Sequence, residues 1–418
     1  MSKNLVFIGA TISGNKGSEM MLSTSIGEFR KIYPKGQFYI FSYYPKDDLK
    51  LIFDTSNIKI VNATPFLILM LHSTRGFLNY LVRKLKLEWL FPKISWFKNH
   101  NVSAIIDISG ESFNDYNILY LPYKILCVWL GVLNDVPVYK LPQSMGPFKK
   151  GINNYFATMC LKRCQRIYAR GQITADHLSM LAIPKHKIQM ATDLGFAYQS
   201  KYCLLLKKST EVKEIVEDLV NIKNSSSNKI VAILPSVVKL SMDGNSYLGQ
   251  MYSLLDYIMK LDYQIVILPN AFRDNVSSLH NNDYSLIEHL HQYVKSVSKR
   301  SPTSVLFSCS TEDIRSIVGI SDHIITSRFH GMINALSLGK APLVLSWSHK
   351  YFEILDSFEL NWLDIDNYVE KEELVAKFEK LVSQQEYYDH QVALFQSKMK
   401  LEASQIFHDI SAQLSDQE

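Results

Sequence analysis

The 418-residue chain lacks most of the features that place a protein at once. It holds no run of 18 apolar residues, so no transmembrane helix is expected. Cysteine is scarce: Cys127, Cys160, Cys164, Cys203 and Cys309 give an odd count at irregular spacing. Cys160 and Cys164 lie four apart in a helical pattern, not at CxxC spacing. That argues against a disulfide framework or a thiolate metal site, and predicts buried free thiols in a reducing compartment. HExxH, GxSxG and paired carboxylates at metal spacing are missing, so no metal is expected. Met1–Ala10 reads as a strand rather than a leader, and no signal peptide is expected. Charge of one sign is also missing. Lys and Arg number 45 against 40 Asp and Glu, a net charge of +5 with no dense basic stripe, which argues against nucleic acid as a partner. Repeats and low-complexity tracts are absent.

What is present is a globular composition, 47% hydrophobic and 20% charged, with 12% aromatic residues. Single cores stop growing near 250–300 residues, so two domains are expected. Short apolar runs alternate with amphipathic helical stretches. Lys3–Gly9, Gln37–Ser42, Ser103–Ser109, Pro137–Leu141 and Ile167–Ala169 read as strands of one series. Lys229–Leu234, Gln264–Leu268, Ser304–Phe307, His323–Thr326 and Pro342–Ser346 read as a second. Strands separated by helices predict parallel sheets covered on both faces. The expected architecture is α/β, two Rossmann-like domains facing a cleft near residues 195–225. The limits are residues 1–205, 225–365 and a helical tail, 366–418, packing back on the first domain.

Residues 64–100 stand out, because Trp, Phe and Leu are interleaved there with Arg75, Arg83, Lys84, Lys86, Lys93 and Lys98. Basic amphipathic segments with Trp suit a bilayer interface. A domain helix with a solvated face and an oligomer interface are the other readings.

Open α/β sheets bind ligands beyond the carboxyl ends of their strands. Four segments occupy such positions. Gly9–Glu19 carries Gly14, Asn15 and Gly17 between the first strand and first helix, where glycines admit close backbone approach; a tight turn explains the spacing equally. Asp107–Asp115 places Glu111 among small polar residues, a pattern for an acceptor sugar or simply a capped loop. Leu141–Phe148 places Gln143 and Ser144 to hydrogen-bond a hydroxylated ligand, or serves only to turn. Ile324–Ala335 reads as strand, cap and helix, with Thr326 or Ser327 capping and Arg328, His330 and Gly331 at the first turn. A helix start adds a positive dipole end, Arg adds a bidentate fork, and His adds a proton carrier near neutral pH. His349 and Lys350 follow the next strand, and Arg170 ends a strand of the first series.

Ser327 through Pro342, continued by Trp347 through Tyr351, resembles the polysaccharide pyruvyl transferase family. Gly14–Glu19 looks like that family's N-terminal glycine–asparagine motif, Pro142–Phe148 like its middle motif, and Arg170 like its central arginine. The matches run in order over roughly residues 5–355. The chain departs at Ser109-Gly110-Glu111, where the family often has a glycine run, and at Asn270, where a His often follows the proline. The resemblance implies a GT-B-like fold, phosphoenolpyruvate as donor substrate with no cofactor, and a hydroxyl pair of a cell-envelope or capsular glycan, or of its lipid-linked oligosaccharide precursor, as acceptor. It implies His330 and Arg328 as catalytic residues. The substrate-binding residues expected with them are Arg170, Ser327, Gly331, His349, Lys350, Gly14, Asn15, Gly17, Glu111, Gln143 and Ser144. A cytoplasmic location is expected, with peripheral contact to the inner membrane through residues 64–100 as one reading of that segment. A GT-B-like glycosyltransferase using a nucleotide-activated sugar, and a non-catalytic glycan-binding assembly protein, are the competing readings.

Overall fold

The computed structural model describes residues 2–53, 56–91, 94–201, 206, 209–226, 228–273, 282–298, 301–366 and 368–416. Residue 205, where the first domain is expected to end, and Cys203 lie outside them. Contacts divide the chain into two units. One contains Met1–Ser13, Ser18–Leu206 and Leu401–Glu418; the other contains Gly14–Gly17 and Lys207–Lys400. The short Gly14–Gly17 stretch therefore belongs, by its contacts, with the C-terminal half of the sequence.

The first unit is built on a parallel sheet whose strands lie in the order Ile58–Asn62, Phe38–Ser42, Asn4–Ile8, Val102–Asp107, Val138–Met145, Arg166–Arg170 and Ile188–Ala191. Numbered along the chain this is 3-2-1-4-5-6-7, the doubly wound order extended by one strand. Alternate side chains enter two different cores. Leu5, Phe7, Phe38, Ile40, Ala104 and Ile106 pack on one face. Val6, Ile8, Tyr39, Phe41 and Ile105 pack on the other. A period of two with both faces buried explains why these strands read as continuous apolar runs.

The expected tail divides. Lys371–Ser383 and the first half of the long Gln385–Ser415 helix join the second unit. Only the last turns join the first, where Ile406, Phe407, Ile410 and Leu414 enter the core and Phe407 meets Phe29 edge-on at 5.2 Å. The Lys3 ammonium donates to the Leu414 carbonyl at 3.0 Å, a cation at the negative end of the helix dipole.

The second unit repeats the plan. Thr303–Ser304, Gln264–Ile267, Ile230–Leu234, His323–Thr326, Leu343–Leu345 and Asp364–Ile365 form a parallel sheet in the order 3-2-1-4-5-6. Its switch point falls between Leu234 and Thr326, which are paired in register. Among the described cysteines, Cys127, Cys160, Cys164 and Cys309 are free and buried. Burial pushes the Cys160 thiol up to about 11, so it stays protonated and inert. No helix among the described residues is long and apolar enough to cross a membrane.

Candidate functional site

The switch point of the second unit collects the most specific residues. Ser327 donates its N–H to the Leu234 carbonyl at 3.0 Å, carrying the strand geometry one residue past Thr326. The Thr326 hydroxyl accepts the Arg328 N–H at 3.0 Å. The Ser327 hydroxyl pairs with the Tyr247 hydroxyl at 2.7 Å. Neither side chain is left to cap a helix, so the start moves from the expected position. Arg328 itself stands at the cap, the helix runs Phe329–Ser337, and no side chain caps it. Its leading N–H groups keep the anion-binding character of a helix start. Gly331 is required here, since a Cβ would lie 2.4 Å from Thr326 Oγ1.

Arg328 is buried and ion-paired with Asp283 through Nη2. Asp283 is also fully buried. It accepts backbone N–H groups from Val237 at 3.1 Å, Asn270 at 3.1 Å and Ala271 at 2.9 Å. These bonds fix the carboxylate, and the carboxylate fixes the guanidinium. The sequence reading missed Asp283, because an Asp directly before the Tyr284–Val297 helix looks like a cap, yet it makes no capping bond. Tyr247 was missed for a similar reason. It sits inside an amphipathic helix, is wholly buried, and its hydroxyl, pushed up to about 12 by burial, accepts from the Ser236 N–H at 3.2 Å while bonding Ser327. The Ser327 carbonyl is held in turn by Trp347 Nε1 at 3.2 Å and the Tyr351 hydroxyl at 2.9 Å. Lys350 lies with its ammonium 4.5 Å from the Trp347 ring centre and 5.3 Å from that of Phe329, so its cation rests on aromatic faces beside the site. His349 is exposed and lies 3.9 Å from Glu353.

The glycine-bearing stretch meets this site directly. Gly14–Asn15 pairs antiparallel with Ala271–Phe272, and the Lys16 N–H donates to the Asn270 carbonyl at 2.9 Å. Asn15 Oδ1 accepts the Gly17 N–H at 2.9 Å and turns the chain into its helix. Gly14, at φ +89, has the Arg273 guanidinium where a Cβ would stand. Gly17 is packed against the His330 imidazole; a Cβ there would lie 2.0 Å from Nδ1. Gly14, Asn15, Gly17, Ser327, Arg328, His330 and Gly331 thus converge around one switch point, although more than 300 residues separate the two motifs. The Asn270 Oδ1 is buried here with no hydrogen-bond partner among the described residues.

The remaining expected residues lie in the first unit, at the carboxyl ends of its strands. Arg170 is buried. Nη1 donates to Asp193 at 2.8 Å, while Nη2 donates to the Gly110 carbonyl at 3.0 Å and to Ser144 Oγ at 3.1 Å. Its terminal nitrogens tie two loops to the sheet. Gln143 is bonded internally as well. It is wholly buried, its carbonyl oxygen accepts from Ser112 Oγ and Lys140, and its amide donates to the Leu141 carbonyl at 3.1 Å. Ser144 faces Arg170. Glu111 is exposed, in a short strand paired with Ser144–Met145.

Beside Glu111 stands a second titratable group. Lys124 is buried on the Leu121–Asn134 helix. Desolvation pushes its ammonium down to about 8, with the attraction of Glu111 opposing the shift. Unfolded, it titrates at the ordinary lysine value of 10.5. The penalty is therefore absent above that pH, grows as pH falls, and is complete below about 8. Lys124→Met is expected to gain stability relative to the parent as pH drops from about 10 to about 7.5, read as a widening gap between urea midpoints. Tyrosine and cysteine titrations are common to both proteins and cancel.

Two α/β units of doubly wound order, one carrying an arginine and a histidine at the start of a helix, define a GT-B-like protein. The chain belongs to the polysaccharide pyruvyl transferase family, whose model matches residues 15–349. It is 21% identical over 362 residues to the amylovoran biosynthesis protein AmsJ of Erwinia amylovora, covering 79% of this chain and 83% of that protein. It is a transferase by family, and its acceptor is a glycan. Solved structures share the fold at low identity. The UDP-N-acetylglucosamine 2-epimerase from Rickettsia bellii has a TM-score of 0.56 at 10% identity, covering 99% of this chain and 97% of the other. The Neisseria meningitidis UDP-GlcNAc 2-epimerase bound to UDP-GlcNAc has 0.59 at 12%, covering 99% and 100%. Anabaena HepE in complex with UDP-glucose has 0.55 at 9%, covering 99% of each.

Proposed function

We propose that the protein moves the enolpyruvyl group of phosphoenolpyruvate onto two hydroxyls of a surface glycan, or of its lipid-linked precursor, closing a ketal without a cofactor. The observation that carries this reading is the joint placement of Arg328, held by buried Asp283, and His330, closed in by Gly17, at one uncapped helix start. The donor carries a carboxylate and a phosphate on adjacent carbon and oxygen. A planar guanidinium and a helix start suit such a dianion. In the proposed sequence His330 gives a proton to the enol methylene, and the carbon that develops positive charge accepts one glycan hydroxyl. Phosphate then leaves with its bonding pair, and the second hydroxyl closes the ring while its proton passes to the departing phosphate. His330, neutral after the first step, takes up a proton released by a hydroxyl. One donor and one diol give one ketal and one inorganic phosphate.

The competing donor is a nucleotide-activated sugar, since the fold neighbours are described with UDP-GlcNAc and UDP-glucose bound. Thermal stabilisation separates the two. A ligand at about 100 times its Kd stabilises the native state by about 2.7 kcal/mol. Phosphoenolpyruvate is expected to raise Tm, and nucleotide sugars are not. Arg328→Lys, which keeps a cation opposite Asp283 but loses the fork, is expected to abolish most of the shift. A shift with one nucleotide sugar alone would transfer the assignment to glycosyl transfer.

Asp283→Asn tests the positioning of Arg328. Losing charge-assisted bonds to the guanidinium is expected to raise the KM for the donor about 10- to 100-fold, with a smaller change in kcat. Equal losses in both would place Asp283 in the chemical step instead.

A further inference from the structure

Surface helices normally bury an apolar stripe and show a polar one. The segment Pro65–Lys84 does the reverse. Its inward stripe is Ile68, His72, Gly76 and Asn79, mostly polar or small. The contacts that hold it inward are specific. Asn79 Nδ2 donates to the Leu133 carbonyl at 3.3 Å, and His72 Nε2 lies 3.3 Å from the Asn62 carbonyl. Gly76 lets the helix approach so closely that a Cβ would stand 3.0 Å from Asn134 and 3.1 Å from Leu133. These contacts prevent the helix from rotating to hide its apolar side. Met70, Phe77 and Leu81 consequently face outward, with Phe77 52% exposed. Leu85 and Trp89 continue the face at 65% and 75% exposure.

The same stretch is charged in one sense. Residues 64–100 hold six Lys and Arg against the single acid Glu88, a net +5 that equals the formal net charge of the whole chain. Arg83 is paired with Asp135 and Lys98 with Glu88, whereas Arg75, Lys84 and Lys86 extend from the exposed region. An apolar face this large and this basic has a complement in an anionic bilayer surface, where aromatic and leucine side chains enter the headgroup boundary and Lys and Arg meet lipid phosphates. A second copy of the same face would set +5 against +5.

We infer that residues 65–91 form a membrane-docking surface that seats the first unit on an anionic lipid leaflet. The inference goes beyond the donor chemistry and does not depend on it. The test is co-sedimentation of the full chain with phosphatidylcholine vesicles containing about 30% phosphatidylserine, against phosphatidylcholine alone, at low and high salt. Binding is expected only to the anionic vesicles and is expected to weaken with salt. Arg75→Glu, Lys84→Glu and Lys86→Glu together should lower partitioning about 100-fold. Leu85→Ser with Trp89→Ser should lower it without changing Tm or the donor-induced thermal shift, because these side chains are 65% and 75% exposed. No binding to anionic vesicles at low salt would overturn the inference. So would binding unchanged by either variant set, or a dimer in sedimentation velocity that the same substitutions dissolve.

Discussion

Gly17→Ala is expected to remove turnover while leaving the fold and donor binding in place. The change is mild by every local criterion. Gly17 lies in the first turn of the Lys16–Ile32 helix, where alanine is intrinsically favoured over glycine by about 1 kcal/mol. The added Cβ, however, would stand 2.0 Å from His330 Nδ1, 2.5 Å from Cγ and 2.6 Å from Cε1. No rotation of a single terminal atom relieves three contacts with one ring, so the imidazole must move. General acid–base catalysis by a placed histidine is worth about 10²–10⁴-fold, and a loss of that order is expected in kcat. Arg328 is untouched, so the thermal shift with phosphoenolpyruvate should survive. Gly249→Ala and Gly319→Ala are the controls. Both sit in helices with nothing within 4 Å of a new Cβ, and both should be neutral or slightly stabilising. On a His330→Ala background, Gly17→Ala should add nothing, since both remove the same interaction. Full turnover in the single variant would exclude the His330 ring, in this position, from the chemistry.

That coupling also marks how far the sequence could be read. The two α/β series were legible because doubly wound sheets bury both faces of their strands, and continuous apolar runs such as Ile230–Leu234 follow directly. The motif Ser327–Gly331 was legible because an arginine and a histidine beside a glycine at a strand end have few structural uses. What stayed hidden was every long-range partner. The Gly14–Gly17 stretch looked like part of the first domain because chain order is the only proximity a sequence displays. Its pairing with Ala271–Phe272 is set by backbone hydrogen bonds that leave no side-chain signature. The partner of Arg328 at Asp283, and the internal partners of Gln143 and Arg170, carry no local signature. Polar residues beyond strand ends read alike whether they face a ligand or a neighbouring loop. The partners of Arg170, at Gly110, Ser144 and Asp193, are spread over 84 residues of sequence. The exposed face of residues 65–91 was suggested by composition, but which side of the helix points outward depends on Gly76 and Asn79, small and polar residues that a hydrophobic pattern discounts.

The largest stability change is expected at a pair that the sequence did not single out. Lys140 and Asp107 are both wholly buried and in direct contact where Asp107, the last residue of its strand, pairs with Lys140 in the first half of the Val138–Met145 strand. Burial works against the Lys140 charge, but the attraction and hydrogen bond of Asp107 outweigh it, and its pKa is raised. The ammonium also donates to Gln143 at 3.3 Å and lies 5.3 Å from the Phe113 ring centre. The other Asp107 oxygen accepts the Ser109 N–H at 3.0 Å and the Ser109 hydroxyl at 2.7 Å, shaping the turn that Gly9 admits by having no Cβ. Removing one partner strands a buried charge, at about 3–5 kcal/mol. Against a typical stability of about 5–15 kcal/mol, Asp107→Ala should lower the urea midpoint of the first unit sharply or prevent soluble expression. Asp107→Leu combined with Lys140→Met should recover much of that loss, because well-packed apolar replacements of buried pairs are often neutral or stabilising. The recovered protein is still expected to lose turnover, since Ser109, Gly110 and the Arg170 contact that depends on Gly110 would no longer be anchored. A double variant as unstable as Asp107→Ala would mean that the pair, with its hydrogen-bonded shell, contributes net stability. A stable and fully active one would free the Asp107–Glu111 loop from any part in acceptor binding.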